Sequence, residues 1–160
     1  MVAFHLLLIY PIATKAIHNS SYIAKAGSVD LSFIKELLMK IGYFCNITNW
    51  KKRPYTEILD NARDIAVYCD KNNWNSIWFT EHHFNHEGME STPNPLMICT
   101  DVAAKTKQIR LGQACNVITF WNPIRLAEDI AVLDHLSKGR VEVGIGRGVY
   151  GREAVHMNIE

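Results

Sequence analysis

The chain has 160 residues, of which 48% are hydrophobic and 21% charged, and its formal net charge is +1. Such a composition is typical of a globular protein with enough chain for one domain and a sizeable core. The basic residues form no long block, because the run Lys51-Lys52-Arg53 is short, and this argues against a nucleic-acid-binding surface.

Four cysteines, Cys45, Cys69, Cys99 and Cys115, occur without any C-x-x-C pair. Three of them lie within apolar patterns, where a free thiol packs as a small hydrophobic side chain. This usage favours a reducing, cytoplasmic location over a disulfide framework or a zinc knuckle.

Residues 1–38 are predicted to be an extension that precedes the domain, with Met39 as the functional start and residues 39–160 as the domain. The extension contains an apolar stretch, residues 4–9, but no positive charge precedes it, and Pro11 and Lys15 interrupt the apolar character beyond it. The stretch is far shorter than the ~20 apolar residues that a membrane span requires. The sequence therefore predicts neither a secretion signal nor a membrane anchor here.

From residue 40 onward, short apolar runs alternate with amphipathic helices. The first strand is predicted over residues 40–46, and the helix that comes next, residues 55–72, has an apolar face made of Ile58, Ala62, Ile65, Ala66 and Cys69. Residues 76–80 are aromatic and β-branched, which predicts a buried second strand. The second helix is predicted to begin at Asn94-Pro95 and to end near Thr106.

The second half of the chain continues the same alternation. The third strand is predicted over residues 109–117, interrupted by Gln113 and Ala114. The third helix begins at Asn122-Pro123 and stops at Lys138-Gly139. Its predicted apolar face consists of Ile124, Ala127, Ile130 and Ala131. The fourth strand contains Val141, Val143 and Ile145.

Strands that alternate with helices at this spacing predict a parallel α/β sheet, because parallel neighbours need a crossover connection. Both an open doubly wound sheet and a closed barrel fit. The strands begin near residues 40, 76, 109 and 141, which matches the spacing of a barrel with eight units in about 250 residues. Only about four units are present, so half a barrel with unpaired outer strand edges is expected.

The residue types best suited to chemistry come after the second strand. Glu81, His82 and His83 lie directly after it, and His86 lies close behind. The three histidines have donors for a metal ion, although neither an H-x-H nor an H-E-x-x-H spacing is present. One histidine at a strand end is equally suited to proton transfer. The remaining interpretation is that the histidines only hydrogen-bond the loop, and the sequence alone leaves all three open.

A glycine-rich run, Gly144-Ile145-Gly146-Arg147-Gly148, lies at the end of the fourth strand. Glycines allow the backbone to approach an anion closely, and the Arg147 guanidinium is suited to hold a phosphate. Glycines at the end of a strand also occur purely for tight packing. The run therefore predicts either an anion site or a closely packed strand end.

Taken in order, these segments resemble the luciferase-like, flavin-dependent monooxygenase family over roughly residues 39–155. Four motifs carry the resemblance: Thr80-Glu81-His82-His83-Phe84 with Gly88, Pro93 and Pro95; Ala103-Ala104-x-Thr106-x-x-Ile109-Arg110-Leu111-Gly112; Asn122-Pro123-x-Arg125-x-Ala127-Glu128-Asp129-x-Ala131-x-Leu133-Asp134-x-Leu136-Ser137-x-Gly139-Arg140; and Gly144-x-Gly146-Arg147-Gly148.

The resemblance implies a (β/α)8 TIM barrel, of which this chain has about the first four βα units. It implies an enzyme that uses reduced FMN and oxygen to oxygenate a small organic substrate such as an aldehyde. A flavin reductase partner and a dimeric complete protein are further expectations. A flavin-binding protein without turnover and a deazaflavin-dependent oxidoreductase of the same barrel superfamily are the alternatives; a metal-dependent barrel hydrolase using His82, His83 and His86 is a more distant one.

The same resemblance implies the roles of single residues. His82 corresponds to the catalytic histidine, supported by His83 and Glu81. Arg147 is expected to bind the flavin phosphate, with its neighbours Gly146, Gly148 and Val149 beside it. A non-prolyl cis peptide is expected beside the flavin ring, between Ala114 and Cys115. Gly146 stands where light-emitting members have a cysteine, which argues against light emission. Apolar walls are expected from Trp78, Phe79, Phe84, Phe120 and Trp121, each of which also fits a purely structural role.

Overall fold

The structure of the protein, a computed structural model, describes residues 7–10, 40–88 and 91–159. Strands and helices alternate along the chain. In order they are β1 (Leu7–Tyr10), β2 (Lys40–Cys45), α1 (Tyr55–Lys71), β3 (Ser76–Phe79), α2 (Pro95–Ala103), β4 (Arg110–Gln113), β5 (Asn116–Val117), α3 (Pro123–Ser137), β6 (Val141–Glu142), β7 (Ile145–Gly146) and α4 (Gly151–His156), with one 3-10 turn at Ile118–Phe120.

The main sheet has the strand order β1-β2-β3-β4-β6. Its last four strands are all parallel, with Gly42 opposite Ser76, Ser76 opposite Arg110, and Leu111 opposite Val141. A second sheet consists of the two parallel strands β5 and β7. After a break in each chain segment, β5 continues β4 and β7 continues β6, so each pair corresponds to one of the last two strands predicted from the sequence. The predicted parallel α/β arrangement is confirmed, including the interruption after Gln113.

The expectation of an unpaired first edge is wrong. Strand β1 lies antiparallel along β2, with Leu7 opposite Tyr43 and Tyr10 opposite Lys40. Residues 7–10 of the N-terminal extension thus supply a strand to the domain, because a sheet edge satisfies its backbone N–H and C=O groups by pairing. The proposed start at Met39 and the rest of the extension lie outside the described residues.

Helix α1 confirms the apolar face predicted for it. Ile58, Ala62, Ala66 and Cys69 are buried, and Ile65 packs against the same core. The two predicted asparagine caps are also confirmed: the Asn94 side chain accepts the Met97 amide, and the Asn122 side chain accepts the amides of Ile124 and Arg125. These caps fix where α2 and α3 begin, with a proline in the first turn of each.

Helix α3 corrects one prediction. Ile124 is 69% exposed, and Ala127 and Ala131 are exposed as well. The side chains that face the core are Leu126, Ile130, Leu133 and Ser137, which also show a helical spacing of three and four residues. Both faces of this helix are apolar, and the packing of α3 against α2 and β6 decides which face is buried.

Helix α2 ends at Ala103 rather than near Thr106, because the backbone amides that come after Thr106 donate to a side chain outside the helix. The Thr106 hydroxyl donates back to the carbonyl of Val102. The next three amides, those of Lys107, Gln108 and Ile109, donate to the carboxylate of Asp70 at 3.0, 2.8 and 2.7 Å. This carboxylate on α1 therefore fixes the entry to β4.

Replacing Asp70 by asparagine is expected to lower the free energy of unfolding at pH 7 by about 1–3 kcal/mol, since hydrogen bonds to a charged acceptor are lost. Burial raises the pKa of Asp70, but the hydrogen bonds from three backbone amides and the charge of Arg140 outweigh this effect and hold the pKa below its ordinary value. A lowered pKa stabilises the fold above the unfolded-state pKa, and this contribution disappears as the pH falls through the folded-state value.

Urea unfolding measured from pH 7 downward checks this expectation. The parental protein should lose stability below about pH 4 more steeply than the Asp70→Asn variant. Asp64, exposed on the same helix, provides the matched control, and Asp64→Asn should change little. Identical pH profiles for the parental protein and Asp70→Asn would contradict the role of this carboxylate.

Candidate active site

The carboxyl ends of the parallel strands meet at one end of the sheet. The loop after β3 brings Glu81, His82 and His83 there, and the loop after β7 brings Arg147. Helix α4 comes after that second loop and packs its Glu153 side chain against the histidines. Residues 70 positions apart in the chain thus form one site.

Glu81 is the structural centre of this site. Its carboxylate is buried, with 3% of the residue exposed. It accepts the Val117 amide at 2.8 Å and the Trp121 indole N–H at 3.0 Å, and it lies 3.0 Å from Nε2 of His83. These contacts join the loop after β3 to the segment after β4. With its oxygens engaged in this way, Glu81 positions its neighbours.

His83 is held on both its backbone and its ring. The backbone N–H donates to Oε1 of Glu153 at 2.7 Å, and Nε2 contacts Glu81. The ring also packs edge-on against Phe120, with the two centroids 5.5 Å apart. The side chain is 12% exposed. His83 therefore lies beside the predicted catalytic histidine as a fixed neighbour.

His82 has the arrangement expected of a residue that handles protons. Its side chain is 17% exposed, and Nδ1 lies 3.5 Å from Oε1 of Glu153. The ring centroid is 5.5 Å from that of Tyr150. The backbone N–H donates to the carbonyl of Thr92, which fixes the loop. A partly exposed imidazole with a buried carboxylate behind it is suited to accept and release a proton.

An open groove of about 510 Å³ adjoins His82 and His83. Its apolar surface comes from rings, those of Tyr55, Phe84 and Pro93. The Tyr55 hydroxyl donates to the carbonyl of Ser91, and the Phe84 ring stacks on His156 with centroids 5.0 Å apart. The groove provides a mostly apolar wall next to the histidines.

The sequence did not predict Glu153 as a member of the site. It is 1% exposed, although it lies in the first turn of a six-residue helix. An acidic residue at that position normally indicates a solvated helix N-terminus. Only its contacts with His82 and His83 reveal its place, and no local pattern in the sequence encodes them.

Arg147 and the glycine run serve two different purposes. The Arg147 side chain is exposed and has no hydrogen-bond acceptor among the described residues, while its carbonyl accepts the Thr119 hydroxyl. Gly148 adopts a positive φ of 83°, and a Cβ at Gly144 would lie 2.0 Å from the carbonyl oxygen of Gln113. The glycines therefore satisfy packing, and Arg147 supplies an uncompensated cation beside them.

The peptide bond between Ala114 and Cys115 is cis, as expected from the resemblance. The thiol of Cys115 occupies space next to strand β7, since a Cβ at Gly146 would lie 2.3 Å from its Sγ. Burial, together with the charge of Glu81, raises the pKa of the Cys115 thiol. The thiol therefore remains protonated at neutral pH and contributes shape rather than a nucleophile.

The five aromatic residues divide between core and site. Phe79 is fully buried, and the Trp78 indole packs over Gly112, where a Cβ would lie 2.3 Å from the ring. Phe84, Phe120 and Trp121 contact the histidines or Glu81. The expectation of a wall near the site thus holds for the last three and fails for Phe79, whose side chain faces the core.

Among the described residues, no three His, Cys, Asp or Glu side chains are grouped in a way that could hold a metal ion. His86 in particular points into solvent, with 89% of its side chain exposed, and its Nε2 lies 4.0 Å from the Glu87 carboxylate. The three histidines of the metal hypothesis are not brought together.

All four cysteines are free thiols. No helix in the described part of the chain is long and apolar enough to cross a membrane.

Comparison with known protein families identifies the family to which the sequence belongs. Residues 39–160 match the family model described as luciferase-like monooxygenase. The chain belongs to the luciferase-like monooxygenase family. Members related to it in sequence include the oxygenase component of flavin-dependent trigonelline monooxygenase from Acinetobacter baylyi, 37% identical over 101 residues. The alkanal monooxygenase alpha chain of Photorhabdus luminescens is 30% identical over 115 residues.

Solved structures of the family extend the comparison to the fold. The oxygenating constituent of 3,6-diketocamphane monooxygenase from Pseudomonas putida, in complex with FMN, matches with a TM-score of 0.72 and 25% identity over 76% of this chain. A coenzyme F420-dependent tetrahydromethanopterin reductase from Methanopyrus kandleri shares the fold, with a TM-score of 0.57 and 20% identity over 74% of this chain. The four parallel units are therefore part of a (β/α)8 barrel.

The chain spans about a third of the length of the proteins it matches. It covers 28% of the trigonelline monooxygenase component, 31% of the alkanal monooxygenase chain and 33% of the diketocamphane enzyme chain. Of these relatives, the trigonelline monooxygenase component is named flavin-dependent, and the diketocamphane enzyme was solved in complex with FMN.

Proposed function

We propose that this chain forms the part of a flavin-dependent monooxygenase site that contains the proton-transfer histidine and the phosphate-binding arginine. The complete enzyme would use reduced FMN and oxygen to oxygenate a small organic substrate such as an aldehyde. The observation that carries this proposal is the partly exposed His82 with the buried Glu153 behind it. Relatives that are named flavin-dependent or solved with FMN support it.

The residues present fit a flavin mononucleotide. Arg147 is exposed and unneutralised within the described part of the chain, so it is suited to hold the phosphate. The glycines beside it, Gly146 and Gly148, carry no side chains that would keep an anion from the backbone. Val149 is 80% exposed, and its backbone would assist. Ala114 and Cys115 would lie beside the ring system.

When bound, reduced flavin supplies the electrons that activate oxygen. The chain's own residues then have separate tasks. His82 holds or moves a proton at its ring nitrogens, while Glu81 and His83 keep the loop around it in place. Phe84 and Tyr55 form an apolar wall of the groove beside His82, and such a wall excludes water from the reacting groups.

Partners are part of the same proposal. The related trigonelline monooxygenase chain is named an oxygenase component, which supports a separate flavin reductase that delivers the reduced cofactor. A dimeric complete protein and a cytoplasmic location stay predictions from the sequence.

Two alternatives differ in what they predict. A flavin-binding protein without turnover would bind FMN equally well, and His82→Ala would then change no reaction. A deazaflavin-dependent oxidoreductase would bind the deazaflavin in preference to FMN. The intact His82 with its buried carboxylate favours the monooxygenase over the non-catalytic alternative.

Replacing Arg147 by alanine is expected to weaken FMN binding about 10- to 100-fold, because a charge-assisted hydrogen bond to the phosphate is lost. Binding of riboflavin, which lacks the phosphate, should not change. Fluorescence titration of the parental chain and the variant with both flavins, and with a deazaflavin, measures this. Arg125→Ala provides the control, since Arg125 is exposed on α3 and pairs with Glu128.

The proposal fails if the parental chain binds no flavin, or if Arg147→Ala binds FMN with parental affinity. Stronger binding of the deazaflavin than of FMN would favour the alternative oxidoreductase.

A further inference from the structure

Residues 116–120, which form β5 and the 3-10 turn, lie along the glycine run and contact it in three ways. Strand β5 pairs with β7. The Thr119 hydroxyl donates to the carbonyl of Arg147 at 3.0 Å. A Cβ at Gly148 would lie 2.9 Å from Cγ1 of Val117, so this glycine packs directly on the same residues. The 3-10 turn and the end of the glycine run are therefore held against each other.

The hydrogen bond from Thr119 acts on the peptide that links Arg147 to Gly148. Gly148 adopts a φ of 83°, and glycine populates positive and negative φ about equally. The peptide plane before such a glycine can turn over with little movement of the flanking Cα atoms, which is the difference between β-turns of types I and II. A hydroxyl that donates to the Arg147 carbonyl stabilises one of these two orientations.

The orientation of this peptide matters for an anion beside it. The C=O and the N–H of a trans peptide point in opposite directions, so the Gly148 N–H points away from the Thr119 hydroxyl. A phosphate oxygen is attracted by an N–H group and repelled by a carbonyl oxygen. The exposed Arg147 guanidinium, the proposed phosphate ligand, belongs to the same peptide link. The peptide therefore helps to bind a phosphate in one orientation and opposes it in the other.

The 3-10 turn has supports other than Thr119. The buried Glu81 carboxylate accepts the Val117 amide at 2.8 Å and the Trp121 indole N–H at 3.0 Å, on either side of the turn. These hydrogen bonds and the pairing of β5 with β7 remain when the Thr119 hydroxyl is removed. Loss of that hydroxyl should therefore change the orientation of one peptide and leave the turn in place.

We propose that Thr119 is a positioning residue for the phosphate-binding part of the site, where its hydroxyl keeps the Arg147 carbonyl away from the phosphate and the Gly148 N–H toward it. This inference rests on the proposed function, because it concerns the phosphate of the flavin. A hydroxyl has one hydrogen, and that of Thr119 is donated to the Arg147 carbonyl. Thr119 thus acts through the peptide and does not donate to the phosphate itself.

Thr119→Val, which has nearly the same shape but no hydroxyl, tests this role in the full chain. We expect the dissociation constant for FMN to rise about 3- to 10-fold, because the hydrogen bond that selects the binding orientation is lost. Riboflavin, which lacks the phosphate, should bind with parental affinity. Thr119→Ser retains a hydroxyl and should restore parental FMN binding. Fluorescence titration with both flavins measures all four quantities.

Thr100→Val is the matched control. The Thr100 hydroxyl donates to the carbonyl of Leu96 at 2.8 Å within α2, so the same substitution removes the same kind of hydrogen bond outside the site. It should change the affinity for neither flavin. Thr119 is exposed, so Thr119→Val should melt within about 2 °C of the parental chain. A parental melting temperature separates the positioning role from a loss of structure.

Three results would overturn the role of Thr119: parental FMN affinity in Thr119→Val, an equal loss of FMN and riboflavin binding, or a Thr119→Ser variant that binds FMN no better than Thr119→Val. If Arg147→Ala weakens FMN binding and Thr119→Val does not, the proposed function stands and only the role of Thr119 is wrong. If the parental chain binds no flavin, the proposed function fails, and the role of Thr119 fails with it.

Discussion

Glu81→Ala is expected to lower the free energy of unfolding by about 3–5 kcal/mol, because a buried acceptor is removed and its donors remain buried. The Val117 amide, the Trp121 indole N–H and the His83 ring would each lose the contact with the carboxylate. The 3-10 turn and the loop after β3 would then no longer be held together. The effect should be seen in urea unfolding monitored by tryptophan fluorescence.

Two further variants make the Glu81 experiment specific. Glu81→Gln retains one acceptor oxygen but turns an NH₂ group toward a donor, so it should cost about half as much. Glu87→Ala, in the same loop but with its side chain 62% exposed, should stay within about 0.5 kcal/mol of the parental protein. A loss below about 1 kcal/mol for Glu81→Ala would show that solvent or neighbouring groups replace the carboxylate.

The second large effect is expected at Gly144. Alanine there would place its Cβ 2.0 Å from the carbonyl oxygen of Gln113, which is backbone of the neighbouring strand and cannot rotate away. Separating β6 and β7 from β4 and β5 to relieve this contact would break strand pairing, including the Asn116 N–H bond to the Gly144 carbonyl at 2.8 Å. We expect a loss of more than about 3 kcal/mol from overpacking combined with broken hydrogen bonds.

Gly151→Ala is the matched control for Gly144→Ala. A Cβ at Gly151 would meet none of the described atoms within 4 Å, and alanine favours the helix that begins there. Circular dichroism melting should therefore give a reduced melting temperature for Gly144→Ala and a parental or slightly higher one for Gly151→Ala. Equal melting temperatures would mean that the two strands separate at no cost.

Much of the fold could be predicted from the sequence, because it is encoded locally. Asn94 and Asn122 are caps whose hydrogen bonds reach only two or three residues ahead. The apolar face of α1 is unambiguous, since its opposite face is polar. Helix α3 could not be read in the same way, because apolar residues such as Leu133 and Ile124 lie on opposite faces and only tertiary packing selects one.

In the candidate site, too, local features could be predicted from the sequence and contacts that depend on tertiary packing could not. The location of His82, His83 and Arg147 at the carboxyl end of the sheet was predictable, since all three come shortly after strands of a parallel sheet. The contact of Glu153 with the histidines could not be predicted, because it depends on how α4 packs back over the loop after β3. Strand β1 was missed for a related reason: its pairing with β2 joins segments of the chain separated by about 30 residues with no local signal between them.

That pairing has a topological consequence. An edge strand has a single outward row of N–H and C=O groups, so it can accept one neighbour at a time. In a closed eight-stranded barrel the first strand is bonded on both sides, by the second strand and by the last. Since β1 already lies on the outer side of β2, ring closure around β2 and retention of Leu7–Tyr10 exclude each other. The same row of backbone groups would have to exchange an antiparallel partner for a parallel one.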